Sequence, residues 1–332
     1  MRLNETEREE ISKGLWAGES FSEIADRLDR EVSTISREVW SNCRYKRCYR
    51  AIKATRQAHE TRHRQKQPRE LDVNSDLKTY VMNHLKLGWS PEQIAKRLKL
   101  DYSLDMNMRI SHESIYTYLY CLPKGELKKD LLKYLKRQRK FRHKRTGKYH
   151  DRQRIPDLVS ISERPKEVED RIIPGHWEGD LLIGKDQASA LGSLVERTSN
   201  YLLLVPLSGR DPKTVASAFA KAIRRIPRHL KKTLTYDRGI EMTYHKLFTE
   251  KSKIKVYFCD PHSPWQRGTN ENTNGLIRWY FPKGTDFNII TRKDIQKTQD
   301  LLNGRPRKKL KFLMPNEVIQ QLITNPNFAL EG

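Results

Sequence analysis

Residues 176–208 hold three short apolar runs, covering 176–184, 189–199 and 201–208, with only a few turn residues between them. Runs this short and this close predict three strands joined by tight turns, each the antiparallel neighbour of the last. Beyond residue 208 helices and strands alternate. An amphipathic helix is predicted over 211–226, with Val215, Ala218, Phe219, Ala222 and Ile226 on one stripe. A short strand over 234–237, a helix over 241–250, a strand over 254–260 and a long helix running through Tyr280 come next. The order β-β-β-α-β-α-β-α predicts a layered α/β domain with a ribonuclease-H-like sheet.

That sheet gathers acids. Asp180 sits inside the first apolar run, between Gly179 and Leu181, where an unpaired carboxylate is costly. Asp237 ends the fourth strand, and Glu271 lies on the helix after the fifth, with 33 residues between them. The first and fourth strands are neighbours in this topology, so the two aspartates can meet and the long helix can bring the glutamate over them. A set of carboxylate oxygens suits Mg²⁺, and two such ions can activate an attacking oxygen and stabilise a leaving one. Spacing alone is weak support, because the chain has 41 acidic residues and most acids are solvated surface. Glu178, two residues before Asp180 on the same strand face, is either a helper or a neighbour by accident. Arg267 and Arg278 on the long helix are candidate phosphate contacts. Asn270, Asn272 and Asn274 either touch DNA or bond to loops, and Gly268 and Gly275 admit a close backbone.

The first 122 residues read differently. A helix over 5–15 carries Ile11 and Leu15, with Thr6-x-x-Glu9 as its capping box. Gly18 breaks it, Ser20-x-x-Glu23 opens a second helix with Phe21, Ile24, Ala25 and Leu28 inward, and a third begins at Val32–Ser33. Ile35 and Val39 face the core, leaving Ser33, Thr34, Ser36, Arg37 and Asn42 outward, as on a helix that reads a major groove. An ordinary three-helix bundle is the plain alternative. The pattern then recurs: a helix over 77–87, Gly88, Ser90 as N-cap with Pro91 at the first helical position, and Ile94, Ala95 and Leu98 matching Ile24, Ala25 and Leu28. A helix from Ile110 completes a second helix-turn-helix with His112, Glu113 and Thr117 outward.

Lys and Arg total 65 against 41 acids, a formal charge of +24, which points to a polyanionic partner and above all to nucleic acid. The charge concentrates over 44–69 and 124–154. The second stretch, with Lys136, Arg137, Arg139, Lys140 and Arg142, is either a solvated linker or an arm along a phosphate backbone. No run approaches the length of a membrane span, and the acidic-polar N-terminus is no signal peptide. Four cysteines in a chain this long make no disulfide framework, and Cys43 and Cys48 lack the partner pair of a zinc finger, so free thiols and a cytoplasmic setting are expected.

Three blocks now carry a resemblance. Gly175-His176-Trp177-Glu178-Gly179-Asp180, Thr235-Tyr236-Asp237-Arg238-Gly239 with Glu241-Met242, and the run from Asp260 through Pro264-Trp265-Gln266-Arg267-Gly268 to Asn270-Glu271-Asn272 resemble the signatures of the IS-thirty family of bacterial insertion-sequence transposases. The likeness runs nearly end to end, through Trp89-Ser90-Pro91-Glu92-Gln93-Ile94-Ala95 and Ile110-Ser111-His112-Glu113 to Asn303-Gly304-Arg305-Pro306-Arg307-Lys308. Tyr236 stands where the family pattern suggests Trp, and Val39-Trp40-Ser41 where it suggests a more basic sequence. The resemblance implies a DDE-type, integrase-like core with Asp180, Asp237 and Glu271 as catalytic and metal-binding acids, and Mg²⁺, replaceable by Mn²⁺, as cofactor. It implies that the N-terminal modules bind terminal inverted repeats of double-stranded DNA or help to choose the target.

The expected organisation is a multidomain chain of all-α helix-turn-helix modules followed by an α/β ribonuclease-H-like domain. Its parts are a helix-turn-helix over 1–50, a basic linker over 51–70, a second helix-turn-helix over 71–122, a basic helical linker over 123–168, and a catalytic domain with a helical tail over 169–332. The expected activity is cleavage at element ends and joining of the freed 3′-hydroxyl to new DNA, by at least a homodimer on DNA in the bacterial nucleoid. The rival readings are a DNA-binding regulator with an inactive core and a nuclease that cuts without joining.

Overall fold

The computed structural model describes residues 3–63, 69–122, 155–261 and 263–325. They form two compact units, Met1–Arg69 and Glu70–Gly332. The basic arm with Lys136, Arg137, Arg139, Lys140 and Arg142 lies outside the described residues. Among the described residues no helix is long and apolar enough to cross a membrane.

The first unit is helical: α1 (Glu5–Ala17), α2 (Phe21–Arg27), α3 (Val32–Asn42) and α4 (Ala51–His63). The cap of α1 is not the expected Thr6–Glu9 pair. Asn4 accepts from the Glu7 amide and Glu7 bonds back to the Asn4 amide, a capping box two residues earlier. Ser20 and Glu23 cap α2 as read. Ile11, Leu15, Ile24, Ala25, Ile35 and Val39 make the core, joined by Tyr49 and Ala54. Part of the basic stretch read as a linker is therefore α4, whose Ala51 and Ala54 are buried. Small residues spaced three apart let a helix pack despite its charge.

The second unit opens with α5 (Glu70–Val73), α6 (Ser75–Lys86), α7 (Pro91–Asp101) and α8 (His112–Cys121). Ser90 and Gln93 form the capping box of α7, with Pro91 at its start. Leu77, Val81, Leu85, Trp89, Ile94, Leu98, Ile115 and Leu119 form this module's own core. The sheet follows, as β1 (His176–Ile183), β2 (Ala190–Glu196), β3 (Leu202–Pro206), β4 (Thr233–Tyr236) and β5 (Lys255–Phe258), in the order β3-β2-β1-β4-β5. The first three strands are antiparallel neighbours, and β1, β4 and β5 run parallel. This is the expected layered α/β arrangement.

The sheet has a helical layer on each face. Helices α9 (Pro212–Ile223) and α10 (His245–Ser252) bury Phe219, Ile223 and Phe248 against Trp177, Leu234 and Tyr236. On the other face α11 (Gly268–Tyr280) and α12 (Arg292–Asn303) bury Ile277, Ile295 and Leu302 against Leu182, Leu191 and Leu202. The last helix among the described residues is α13 (Pro315–Thr324), which fixes the second module to the core. Arg97 of α7 forms a bidentate pair with Glu317, at 2.7 and 2.6 Å, and Gln93 donates to the Pro306 carbonyl at 2.6 Å.

Candidate active site

Strand alternation decides which side chains meet. On β1, Trp177 and Leu181 belong to the α9 side, so Glu178, Asp180 and Leu182 face α11. On β4, Leu234 and Tyr236 take the α9 side, leaving Thr235 and then Asp237 for the α11 side. The parallel register pairs His176 with Thr233 and Glu178 with Thr235. Two residues on, Asp180 comes level with Asp237, the first residue beyond β4.

A guanidinium joins the two aspartates. Arg267 ends the 3₁₀ turn Pro264–Arg267 that leads into α11. Its Nη2 donates to Asp237 Oδ2 at 3.0 Å, while Nη1 lies 3.4 Å from Asp180 Oδ1 and donates to the Gly179 carbonyl at 2.8 Å. The group lies 5.9 Å above the Tyr236 ring. Burial disfavours the charge on Arg267, but Asp237 and Asp180 outweigh it and its pKa is raised. Burial pushes the Asp180 carboxyl upward and Asp237 adds to this, against the pull of Arg267.

Asp180 is held at both oxygens. Oδ1 accepts from the Leu181 amide at 2.9 Å, and Oδ2 from Asn274 Nδ2 at 2.8 Å. Ser193 of β2 orients that amide by donating to Asn274 Oδ1 at 2.8 Å. Asp237 Oδ1 accepts from the Gly239 amide at 3.0 Å. A fourth carboxyl, Glu241, lies in the same field. Burial first, then Asp237 and Asp180, push its pKa up. It folds over Gly239, where a Cβ would come within 2.4 Å of the Glu241 carboxylate, so a side chain there would displace Glu241.

Glu271 follows Arg267 by four residues, in the first turn of α11. It is exposed and makes no hydrogen bond or ion pair with a described residue. The structure thus brings Asp180 and Asp237 together, and Glu271 has no contact with either among the described residues. Among the described residues no three His, Cys, Asp or Glu side chains are grouped to hold a metal ion. The donor chemistry of Asp180, Asp237 and Glu271 is all carboxylate oxygen, which fits a hard divalent cation. The single shared guanidinium shows that the aspartate pair draws positive charge.

The remaining candidates separate by their partners. Glu178 is fully buried; its Oε2 accepts from the Asn270 amide at 2.8 Å and its Oε1 lies 3.3 Å from Arg197 Nε. It ties β1 to the start of α11 as a buried counter-ion. Asn270 is buried with it, Asn274 positions Asp180, and Asn272 is exposed. Arg278 donates to the Ile183 carbonyl at 2.8 Å. A Cβ at Gly268 or Gly275 would meet nothing within 4 Å, so these glycines and Glu271 leave an open strip along α11. On α3, Ser33 and Arg37 are exposed, and Thr34 and Ser36 half-buried. Sequence reasoning missed the Ser193–Asn274 support, because a buried serine on a neighbouring strand carries no pattern of its own. Glu241 entered only as part of a motif; its place in the turn ahead of α10 gives no chemical signal.

Known proteins bear on this geometry. Residues 2–42 match a helix-turn-helix domain and residues 171–264 an integrase core domain. The chain is 40% identical to the transposase of insertion sequence element IS1086 from Cupriavidus metallidurans, over 95% of this chain and 94% of the relative. It is 42% identical to the transposase InsI of element IS30A from Escherichia coli, over 96% of this chain and 83% of the relative. It is 36% identical to the transposase of IS4351 from Bacteroides fragilis, over 98% of both. The chain belongs to the IS30 (IS-thirty) family of transposases. It is therefore a DDE-type transposase, with a helix-turn-helix domain ahead of an integrase core. The chemistry of this family uses divalent metal ions, and both domains point to DNA as the partner.

Proposed function

We propose that Asp180, Asp237 and Glu271 are the catalytic carboxylates of this transposase, and that the chain cuts DNA at element ends and joins the freed 3′-hydroxyl to a target. The observation that carries this reading is the single guanidinium of Arg267 shared by Asp180 and Asp237 across neighbouring parallel strands. Asp180, Asp237 and Glu271 would hold Mg²⁺, with Mn²⁺ as a substitute. When bound, the ion supplies positive charge where negative charge develops on the reacting phosphate.

The chain's own residues do the positioning. Arg267 keeps two like charges at one place, and Asn274, braced by Ser193, fixes the rotamer of Asp180. Gly268 and Gly275 let a sugar-phosphate backbone lie close to Glu271. In cleavage, a water oxygen bonds to phosphorus, the bond to the 3′-oxygen breaks, and that oxygen leaves as a hydroxyl. In joining, this hydroxyl attacks a target phosphodiester and displaces its 3′-oxygen. Neither step needs a covalent bond to the protein. Sequence reading falls to Ser33, Thr34, Ser36 and Arg37 of α3, on the terminal inverted repeats. Bringing two ends together requires at least two copies of the chain on DNA, at work in the cytoplasm on the nucleoid.

The test is a cleavage and joining assay on duplexes that carry the element ends, with Mg²⁺ and in parallel with Mn²⁺. Wild type nicks and joins; Glu271→Gln binds the same duplex and does neither. Full activity in Glu271→Gln removes that residue from the set.

A further inference from the structure

Arg305 and Arg307 flank Pro306 where the second helical module meets the core. Arg305 is 5% exposed, with Nε donating to Gln93 Oε1 of α7 at 3.0 Å. Arg307 Nη2 donates to the Leu302 carbonyl of α12 at 2.9 Å. Arg305 Nη1 and Arg307 Nε are buried without a hydrogen-bond partner. Neither guanidinium pairs with a carboxylate among the described residues. The acids nearby are engaged elsewhere: Glu92 with Lys308 at 3.0 Å, and Glu317 with Arg97. Three other arginines of this unit with little exposure each face an acid, Arg97 with Glu317, Arg197 with Glu178 and Arg267 with the aspartate pair.

Two neighbouring cations without an anion, Arg305 buried and Arg307 half-buried, are unfavourable. Burial lowers the pKa of each to about 10, with Arg305 adding to the effect on Arg307 and the Tyr280 phenol opposing it. Both stay charged at neutral pH. We propose that Arg305 and Arg307 form an anion site that takes a phosphate group of the DNA backbone at the seam between α7 and the C-terminal end of α11. The planar fork of a guanidinium matches phosphate oxygens two at a time, and the unpartnered nitrogens supply the donors. Tyr280 closes the seam: its phenol oxygen lies 3.6 Å from where a Cβ on Gly88 would stand. A surface groove of about 600 Å³, lined by Trp89, Leu301 and Gly304, carries Lys293 and Lys297 against the single acid Asp300. Along α11, Tyr280 stands about 14 Å from Glu271 at 1.5 Å per residue. That is about four nucleotides of one strand.

The inference rests on the reading that this chain binds DNA at the Asp180–Asp237 site, and the experiment separates the two. Binding of the full-length protein to a duplex bearing the element ends is measured against salt for wild type, Arg307→Gln, Arg305→Gln and Arg307→Lys. Loss of one phosphate contact lowers the slope of log affinity against log salt by about 0.9. It also weakens binding about tenfold at fixed salt. Both Gln variants show this and Arg307→Lys keeps the wild-type slope. Folded Gln variants with the wild-type slope overturn the site while leaving the DNA reading intact. If wild type binds no duplex, the DNA reading itself fails and the site with it. In case the buried variants do not fold, melting of wild type is compared in inorganic phosphate and in chloride at equal ionic strength. Phosphate raises the melting temperature if the site exists, and equal melting in both salts overturns it.

Discussion

The two helical modules share a sequence pattern and use it differently. Ile24, Ala25 and Leu28 in α2 recur as Ile94, Ala95 and Leu98 in α7, and both helices open with a serine capping box. In the first module the next helix, α3, carries Arg37 and Ser33 into solvent, and the module is a compact unit of its own. In the second, the capped helix is bound into the catalytic unit by Arg97, Gln93 and Glu317, and the next helix, α8, has no Lys or Arg. The apolar spacing makes a helical pair. The surroundings of the pair decide whether it reads DNA or holds the enzyme together.

Substitutions in both units test this division of labour. The largest effect belongs to the unit that does chemistry: Glu271→Gln lowers strand cleavage about a thousandfold, since transition-state charge stabilisation is worth several kcal/mol. Binding to element ends, the task proposed for the first module, is unchanged in a filter or mobility-shift assay. If that variant loses binding instead, the separation of reading from chemistry breaks.

Next is Arg97→Ala. It removes the charge that Glu317 and Asp101 share, at 2.6 and 2.8 Å, and leaves two acids without their cation. The expected loss is about 3 kcal/mol, read as a fall in the melting transition of the catalytic unit. The equivalent position in the first module, Arg27, is more exposed and pairs with Glu10 and Glu19 at the surface. Arg27→Ala therefore costs below about 1 kcal/mol. Equal losses at the two sites would mean that the modules are built alike after all.

Arg37→Ala follows, with about tenfold weaker binding to element ends and little change on unrelated duplex, the signature of a base contact. A uniform loss on both duplexes places Arg37 on the phosphate backbone instead.

The last effect appears only in acid. His176 is buried, with Nδ1 2.8 Å from Thr233 Oγ1. Burial, then Lys232, Arg197 and Arg164, lower its pKa to about 4. Glu167, 3.6 Å from Nε2, pulls the other way, but it is half-exposed and is outweighed. The unfolded chain takes up a proton near pH 6.5, so His176 adds stability in full above that value. The contribution is lost as pH falls from about 6.5 toward 4. His176→Asn makes the melting temperature less steep in that window; an unchanged pH profile shows that His176 is not held neutral.

Much of the fold is legible in the chain. Short apolar runs bounded by turn residues give the five strands along the chain, because strands covered on both faces read as continuous apolar stretches, while the amphipathic helices between them leave a period of their own. Boundaries are less legible. The α1 cap lies at Asn4 because two capping pairs overlap there, and only the backbone shows which one closes. Helix α4 hides within a basic stretch, because its two packing residues are alanines and its charges dominate the pattern.

Strand parity, legible in the sequence, puts Asp180 and Asp237 on one face of neighbouring strands, and Asp180 inside an apolar run needs a reason to be there. Tertiary structure alone decided what holds them. Arg267 reads as a phosphate contact in the sequence and stands in the structure as the shared counter-charge of Asp180 and Asp237. Glu178, on the same face of the strand as Asp180, turns to Asn270 and Arg197 instead. A charge is placed by whatever opposite charge and donors reach it, and those come from segments dozens of residues away, which no local pattern records.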